Sequence, residues 1–252
     1  MKTQLRALTM GIALLVSGAG ASMAADLYGG SMKDSYVPPP MMTSAPTWYF
    51  RLDGAYAGFD APIMVEDGVD TLSSTNIDGT WSLGGCVGRY FSRTVRGDLT
   101  YEYLFKTTAS GNQANPNADA TGLREFDLSS HLFLANLYYD FNAGSRFSPY
   151  IGAGLGFVRH TTHEGSIANC NCTSSIAGET ETDVAGALMA GVNVALRDRL
   201  ALDVGYRYLY LGSGTTGPLT AVVAGNTVNS SDPTVEDIHA HEIRFGLRYD
   251  FR

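Results

Sequence analysis

Asp127, Ser129 and His131 stand two residues apart, and a carboxylate, a hydroxyl and an imidazole are what a hydrolase needs for orientation, attack and proton transfer. On a strand these three side chains share one face. Spacing alone supplies neither the hydroxyl-to-imidazole geometry nor an oxyanion donor, so the expectation is that the chain is not an enzyme. His160, His163, His239 and His241 are candidate hemin or metal ligands, because neutral imidazole is a common ligand. Their spacing is not that of a metal site, and rim histidines are often simply solvated. Cys170-Asn171-Cys172 could close a strained disulfide in an oxidising compartment, remain two thiols, or join further ligands around a metal. Cys86 stands alone and reads as a small packing residue. Gly152, Gly154 and Gly156 recur at every second position, which suits a smooth strand wall and not a phosphate loop. No cofactor follows from these sets.

The densest set is ionic. Arg51, Arg96, Arg207, Arg244 and Arg248 face Asp53, Asp98, Glu102, Asp203, Glu242 and Asp250 in near balance. Every one of them falls at alternate positions of a run whose other positions are apolar or aromatic. Such charges, if enclosed, must pair, and arginine pairs with carboxylates through two parallel hydrogen bonds. The expected result is an ion-paired plug inside a narrow barrel, with a thin solute path through it as the alternative. Removing Arg207 should then be costly, and so should placing a charge at Leu202 if it lies near a membrane's midplane.

The elements that position these charges are strands. Period-two alternation runs through 48–57, 95–103, 200–210 and 242–251: Trp48, Phe50, Leu52 and Tyr56 oppose Arg51, Asp53, Ala55 and Ala57, while Ile243, Phe245, Leu247, Tyr249 and Phe251 oppose Glu242, Arg244, Gly246, Arg248 and Asp250. Weaker runs at 79–91, 123–141, 149–159 and 183–196 bring the count to eight. Connections alternate between tight (92–93, 142–147, 197–199) and long, polar and Gly/Asn/Thr-rich (59–78, 106–122, 160–182, 212–238), the layout of an outer-membrane barrel. The long loops read as disordered polar segments with no recognisable spacing. An even strand number permits closure, which leaves no unpaired edge in lipid.

Composition agrees. Only 17% of the 252 residues are charged, and of 17 basic residues just Lys2, Lys33 and Lys106 are lysines, unlike the surface of a soluble barrel. A formal charge of −8 argues against nucleic acid as a partner. Residues 1–24 have the form of a signal peptide: Lys2 and Arg6, the apolar run at 13–16, and small residues ending at Ala24. Residues 25–46, with Pro38-Pro39-Pro40, read as a Pro-rich periplasmic linker, and 47–252 as the barrel.

Four segments carry a resemblance: 136–141 (NLYYDF), 149–154 (PYIGAG), 203–208 (DVGYRY) and 246–251 (GLRYDF). With the linker 30–34 and its prolines, they resemble the small eight-stranded outer-membrane barrels of alphaproteobacteria, the rhizobial surface-antigen and hemin-binding type, built like the OmpA transmembrane domain. The resemblance implies an all-β, eight-stranded, antiparallel up-and-down transmembrane β-barrel in the Gram-negative cell outer membrane. It would have short periplasmic turns, long extracellular loops and both termini in the periplasm. It implies a structural, surface-exposed role in envelope integrity and host or environment contact, with a hemin-binding or small-solute porin-like barrel as the alternative. Implied partners are outer-membrane lipid and lipopolysaccharide, and the barrel assembly machinery, which would read Phe245, Leu247, Tyr249 and Phe251. Two more stay open: hemin, and peptidoglycan joined to the amine of Ala25 by a transpeptidase. Arg252 departs from the family pattern, which ends on the aromatic, and no peptidoglycan-binding domain is expected after the barrel.

Overall fold

The computed structural model describes residues 48–66, 70–114, 122–168, 172–223, 226–230 and 233–251. The signal, the linker, Ala25, Cys170 and Arg252 lie outside the described residues, as does the side chain of Cys172.

Eight long strands form the barrel: β1 (Trp48–Phe59), β2 (Thr80–Tyr90), β3 (Val95–Gln113), β4 (Gly122–Asp140), β5 (Phe147–Thr162), β6 (Thr180–Arg197), β7 (Leu200–Tyr210) and β8 (His239–Phe251). Each pairs antiparallel with its sequence neighbour, and β8 returns to β1 in the register Trp48↔Phe251 to Phe59↔Ala240. Closure leaves no free edge, so the backbone hydrogen-bonding groups of the wall are paired within it.

Side-chain parity turns this barrel inside out relative to a soluble one. Leu52, Leu83, Leu99, Leu137, Leu155, Leu188 and Phe245 stand exposed on the outer wall, while Arg51, Arg96, Arg207 and Arg244 are fully buried inside. Aromatics gather at both ends of the wall. Phe50, Tyr249 and Phe251 cluster at the short-turn end; Tyr56 packs edge-on against Trp81 and Tyr103 against Phe105 toward the long loops. That is the double girdle of a membrane barrel around a band about 25 Å tall.

Height along a strand decides what an outward charge costs. Leu99 is four residues above the start of β3 at Val95 and 70% exposed, whereas Leu202 is only two residues above the start of β7 at Leu200. At ~3.3 Å per residue and a tilt of about 40°, Leu99 stands roughly 10 Å into the band and Leu202 roughly 5 Å. Leu202 is therefore nearer the interface than the midplane. Leu99→Arg is expected to cost about 2–4 kcal/mol and Leu202→Arg about 0–1 kcal/mol in urea-dependent refolding into liposomes. Equal costs at the two positions would contradict this placement.

Two expectations about the loops need correction. The connection read as 106–122 is mostly strand: β3 continues to Gln113 and β4 begins at Gly122, a hairpin standing beyond the apolar band. Above the band the outer face has no lipid to meet, so Thr, Ser and Asn replace the apolar residues that make alternation readable. The loops are also not the disordered segments expected. Ile63–Glu66, Asp70–Thr71, Gly214–Thr215 and Thr234–Glu236 make one small sheet; Cys172–Ile176, Leu219–Val223 and Asn226–Ser230 make another. Each buries apolar side chains. Ile167, Ile176, Leu219 and Ala221 form a separate small core, while Met64, Leu72, Ile77, Leu211, Val235 and Ile238 join Leu104, Phe126, Leu128 and Leu209 across the long-loop end. Burying such patches offsets the ordering cost that a purely polar loop could not meet.

Candidate functional site

Inside the wall the charges sort into linked groups from one end to the other. Nearest the short turns, Arg248 Nη1 donates to Asn193 Oδ1 at 3.0 Å, and its Nε lies 3.3 Å from Asp250, which also accepts from Tyr90 OH at 2.9 Å. Arg96 follows. Its Nε donates to Asp140 at 2.9 Å, its Nη1 to Tyr49 OH at 3.2 Å, and its guanidinium lies 4.1 Å over the Tyr138 ring. Stacking on an aromatic face while donating in the plane is what arginine does and lysine does not.

Asp98 is the most heavily bonded acid. It accepts from Tyr49 OH (3.0 Å), Asn136 Nδ2 (2.7 Å), Thr100 Oγ1 (3.1 Å) and Cys86 Sγ (3.3 Å). Cys86, read from sequence as packing, is thus a donor within the network. Arg51 donates to Asp53 at 2.7 Å along its own strand and reaches Asp98 and Asp203 only at 3.8 and 3.7 Å. Tyr150 OH donates to Asp203 at 2.8 Å and accepts from Arg244 Nη2 at 3.2 Å. Further up, Arg207 bridges two carboxylates. Its Nε donates to Glu242 at 2.6 Å and its Nη2 to Glu102, whose other oxygen accepts from Ser82.

All eleven arginines and acids read from the sequence as an ionic set face the interior, and the structure adds members. Tyr49, Tyr90, Asn136, Tyr138, Asp140, Tyr150 and Asn193 escaped notice because neutral and aromatic side chains do not stand out as charges do. Parity was the available signal: Tyr49 shares the face of Arg51 and Asp53. The three glycines of β5 also face inward. A Cβ on Gly152 or Gly154 would meet the side chains of Tyr138 or Asn136, and one on Gly156 the carbonyl of Phe133. At Gly152 and Gly154 the missing Cβ makes room for the inward side chains of Tyr138 and Asn136 from β4, which is more than a smooth wall.

The four candidate ligand histidines are not brought together. His160 is buried inside the barrel, donating from Nε2 to the Leu211 carbonyl at 2.8 Å while Nδ1 faces Ser130 Oγ at 2.7 Å. His163 contacts Ser129 Oγ at 3.2 Å. His239 and His241 lie on the outer wall, their Nδ1 atoms 2.9 and 2.5 Å from Tyr208 and Tyr206 hydroxyls. Among the described residues no three His, Cys, Asp or Glu converge on a point where a metal could sit. Asp127, Ser129 and His131 likewise turn to different partners: Lys106 at 2.7 Å, His163, and Tyr101 OH at 3.0 Å. No triad forms.

One buried pair was absent from the sequence reading. Arg124 Nε and Nη2 each donate to Glu66 at 2.8 Å, tying the first long loop to the top of β4.

The comparisons with known proteins agree with this architecture. The family model described as "Outer membrane protein beta-barrel domain" matches residues 12–251. An uncharacterized protein of Brucella suis is 28% identical over 94% of this chain and 95% of its own length. An opacity protein of Neisseria gonorrhoeae is 28% identical over 53% of this chain and 65% of its own. Among solved structures, the outer membrane protein OprG of Pseudomonas aeruginosa superposes with a TM-score of 0.51 at 16% identity, covering 81% of this chain and 97% of that one, a likeness of fold. An ion-paired interior, an apolar outer wall and a family match along nearly the whole length lead to one conclusion: the chain belongs to the outer membrane protein beta-barrel family.

Proposed function

We propose that this chain is a structural, surface-displayed barrel of the outer membrane, non-catalytic and closed to solutes, with its long loops outside and both termini in the periplasm. The observation that carries the reading is the double closure of the interior. Five arginines and their acids span the lumen, and above them Met64, Leu72, Val235 and Ile238 from the first and last long loops close the mouth with apolar side chains. A solute path would need both layers to part, and an eight-stranded barrel leaves little room around filled side chains. The ordered loop sheets fit a surface that presents a fixed shape, supporting envelope integrity and contact with the environment or a host. The hemin reading gains nothing from the geometry, since His160 points inward with both ring nitrogens engaged.

Planar-bilayer recording of the refolded full-length protein tests the proposal. The expected trace has no stable openings. Lasting conductance steps of nanosiemens size would overturn the closed-lumen reading.

A further inference from the structure

The outer wall carries three Tyr–His pairs near the long-loop end: Tyr101 with His131, Tyr206 with His241, and Tyr208 with His239. In each, the phenol occupies Nδ1, which leaves the Nε2 edge of the ring for another partner. What that edge meets differs. His241 Nε2 lies 3.4 Å from the Asp60 carboxylate and is already matched with an anion. His131 has no such acid. Directly opposite it, on the neighbouring strand and the same outer face, stands Arg159.

Residues opposed across an antiparallel pair hold their Cβ atoms about 5 Å apart, so the two side chains leave the wall as neighbours on one face. Around Arg159 the same-face neighbours, directly opposite and diagonal, are His131, Ser129 and Phe133 on β4 and Thr182, Thr180 and Val184 on β6. None is a carboxylate. Among the described residues of the upper outer wall, Lys106 is held by Asp127, while Arg159 enters no ion pair.

Position supplies the rest. His131 is nine residues above Asp140, the lower end of β4. At ~3.3 Å per residue and about 40° of tilt that is roughly 23 Å up, the level at which the apolar band ends and headgroups begin. Directly below the pair the wall is apolar. Phe133 and Phe157 stack at 4.9 Å, and Leu155 beneath them is 72% exposed. A guanidinium and an imidazole above an exposed aromatic and aliphatic face fit a ligand with an anionic head and several acyl chains.

We propose that Arg159 and His131 form a binding site for the phosphate monoester of an outer-leaflet glycolipid of the lipid A class, whose acyl chains lie along Phe133, Phe157 and Leu155. The proposal rests on the reading that the long loops face outside. Arg159 supplies a planar fork for two phosphate oxygens and His131 Nε2–H a third donor, in a layer where water competes less than in bulk.

The test is native mass spectrometry of the refolded full-length protein in detergent with bisphosphorylated lipid A added. One lipid A retained per barrel is expected. Arg159→Gln and His131→Gln, changed separately, should each reduce retention about tenfold, the scale of one charge-assisted hydrogen bond. Arg89→Gln, a cation resting on Trp48 at the opposite end, should leave it unchanged. Dephosphorylated lipid A and phosphatidylglycerol should both compete poorly. Full retention by Arg159→Gln, or competition by phosphatidylglycerol equal to that of lipid A, overturns the site and leaves a non-specific lipid annulus. Heat-modifiable gel mobility identifies folded variants, and His131→Gln reads the same site if Arg159→Gln does not fold. Orientation is read separately, by antibody access on intact cells to a tag inserted within 115–121, so failure of the site and failure of the orientation remain distinct results.

Discussion

Arg207→Ala is expected to lower the unfolding free energy by about 3–5 kcal/mol, the range for removing one partner of a buried ion pair. The side chain is 1% exposed and is the cation that bridges Glu102 and Glu242. Its removal leaves two carboxylates facing each other in a space too narrow to hydrate them freely. Ser82 still donates to Glu102 at 2.5 Å, but one hydroxyl does not balance two charges. Urea-dependent refolding into liposomes and the temperature at which heat-modifiable mobility is lost both measure the effect. A companion variant separates charge from volume. Arg207→Met with Glu102→Gln and Glu242→Gln removes every charge of the triad together with its desolvation cost, and should recover most of the loss. If the triple variant is as unstable as Arg207→Ala alone, the arginine acts by filling space and the ionic account is wrong.

The same triad marks how far the sequence could be read. Arg207 and Glu242 were visible because each interrupts an otherwise aromatic or aliphatic alternation, and a period of two forces every such residue onto one face. The register that sets them opposite each other, Arg207↔Glu242, is fixed by how β7 and β8 pair across the last long loop and is not visible in either strand alone. Glu102 comes from a third strand, across the lumen. Membership of the network was therefore legible and its wiring was not.

Legibility failed above the apolar band for a different reason. Alternation is informative only where the two faces meet different solvents. Beyond Phe105 both faces of the β3–β4 hairpin meet water or loops, so Thr107, Ala109 and Gly111 carry no contrast with their neighbours. The small loop sheets suffer doubly, because strands such as Ile63–Glu66 are too short for a period to establish itself. The histidines misled through their sequence neighbourhood: His160 lies on β5 with its side chain inside the barrel, whereas His163 falls just beyond the strand's end at Thr162 and turns to Ser129.

Arg124→Ala should release the loop cap at a cost of about 3–5 kcal/mol, comparable to that of the lumen triad but local in its consequence. Arg124 is fully buried near the top of β4. Its fork closes on both oxygens of Glu66, itself 2% exposed, while its Nη1 donates to the Gly122 carbonyl at 3.1 Å. Glu66 ends the loop strand that carries Met64, and Met64 is paired in register with Val235 of the last long loop. The ion pair therefore bears on two loops: lose the fork, and a buried carboxylate beneath the apolar seal of Met64, Leu72 and Val235 is stripped of its arginine. The barrel below has its own register and its own ion pairs, so the damage should stop at the mouth, as sub-global opening does elsewhere. Hydrogen exchange is expected to accelerate in 63–66 and 234–236 while 200–210 and 242–250 keep wild-type protection. Replacing both partners, Arg124→Met with Glu66→Leu, should restore most of the protection, because an apolar pair fits the seal already present there. Uniform acceleration along the whole barrel would instead make Arg124 part of the global fold and remove the cap as a separate unit.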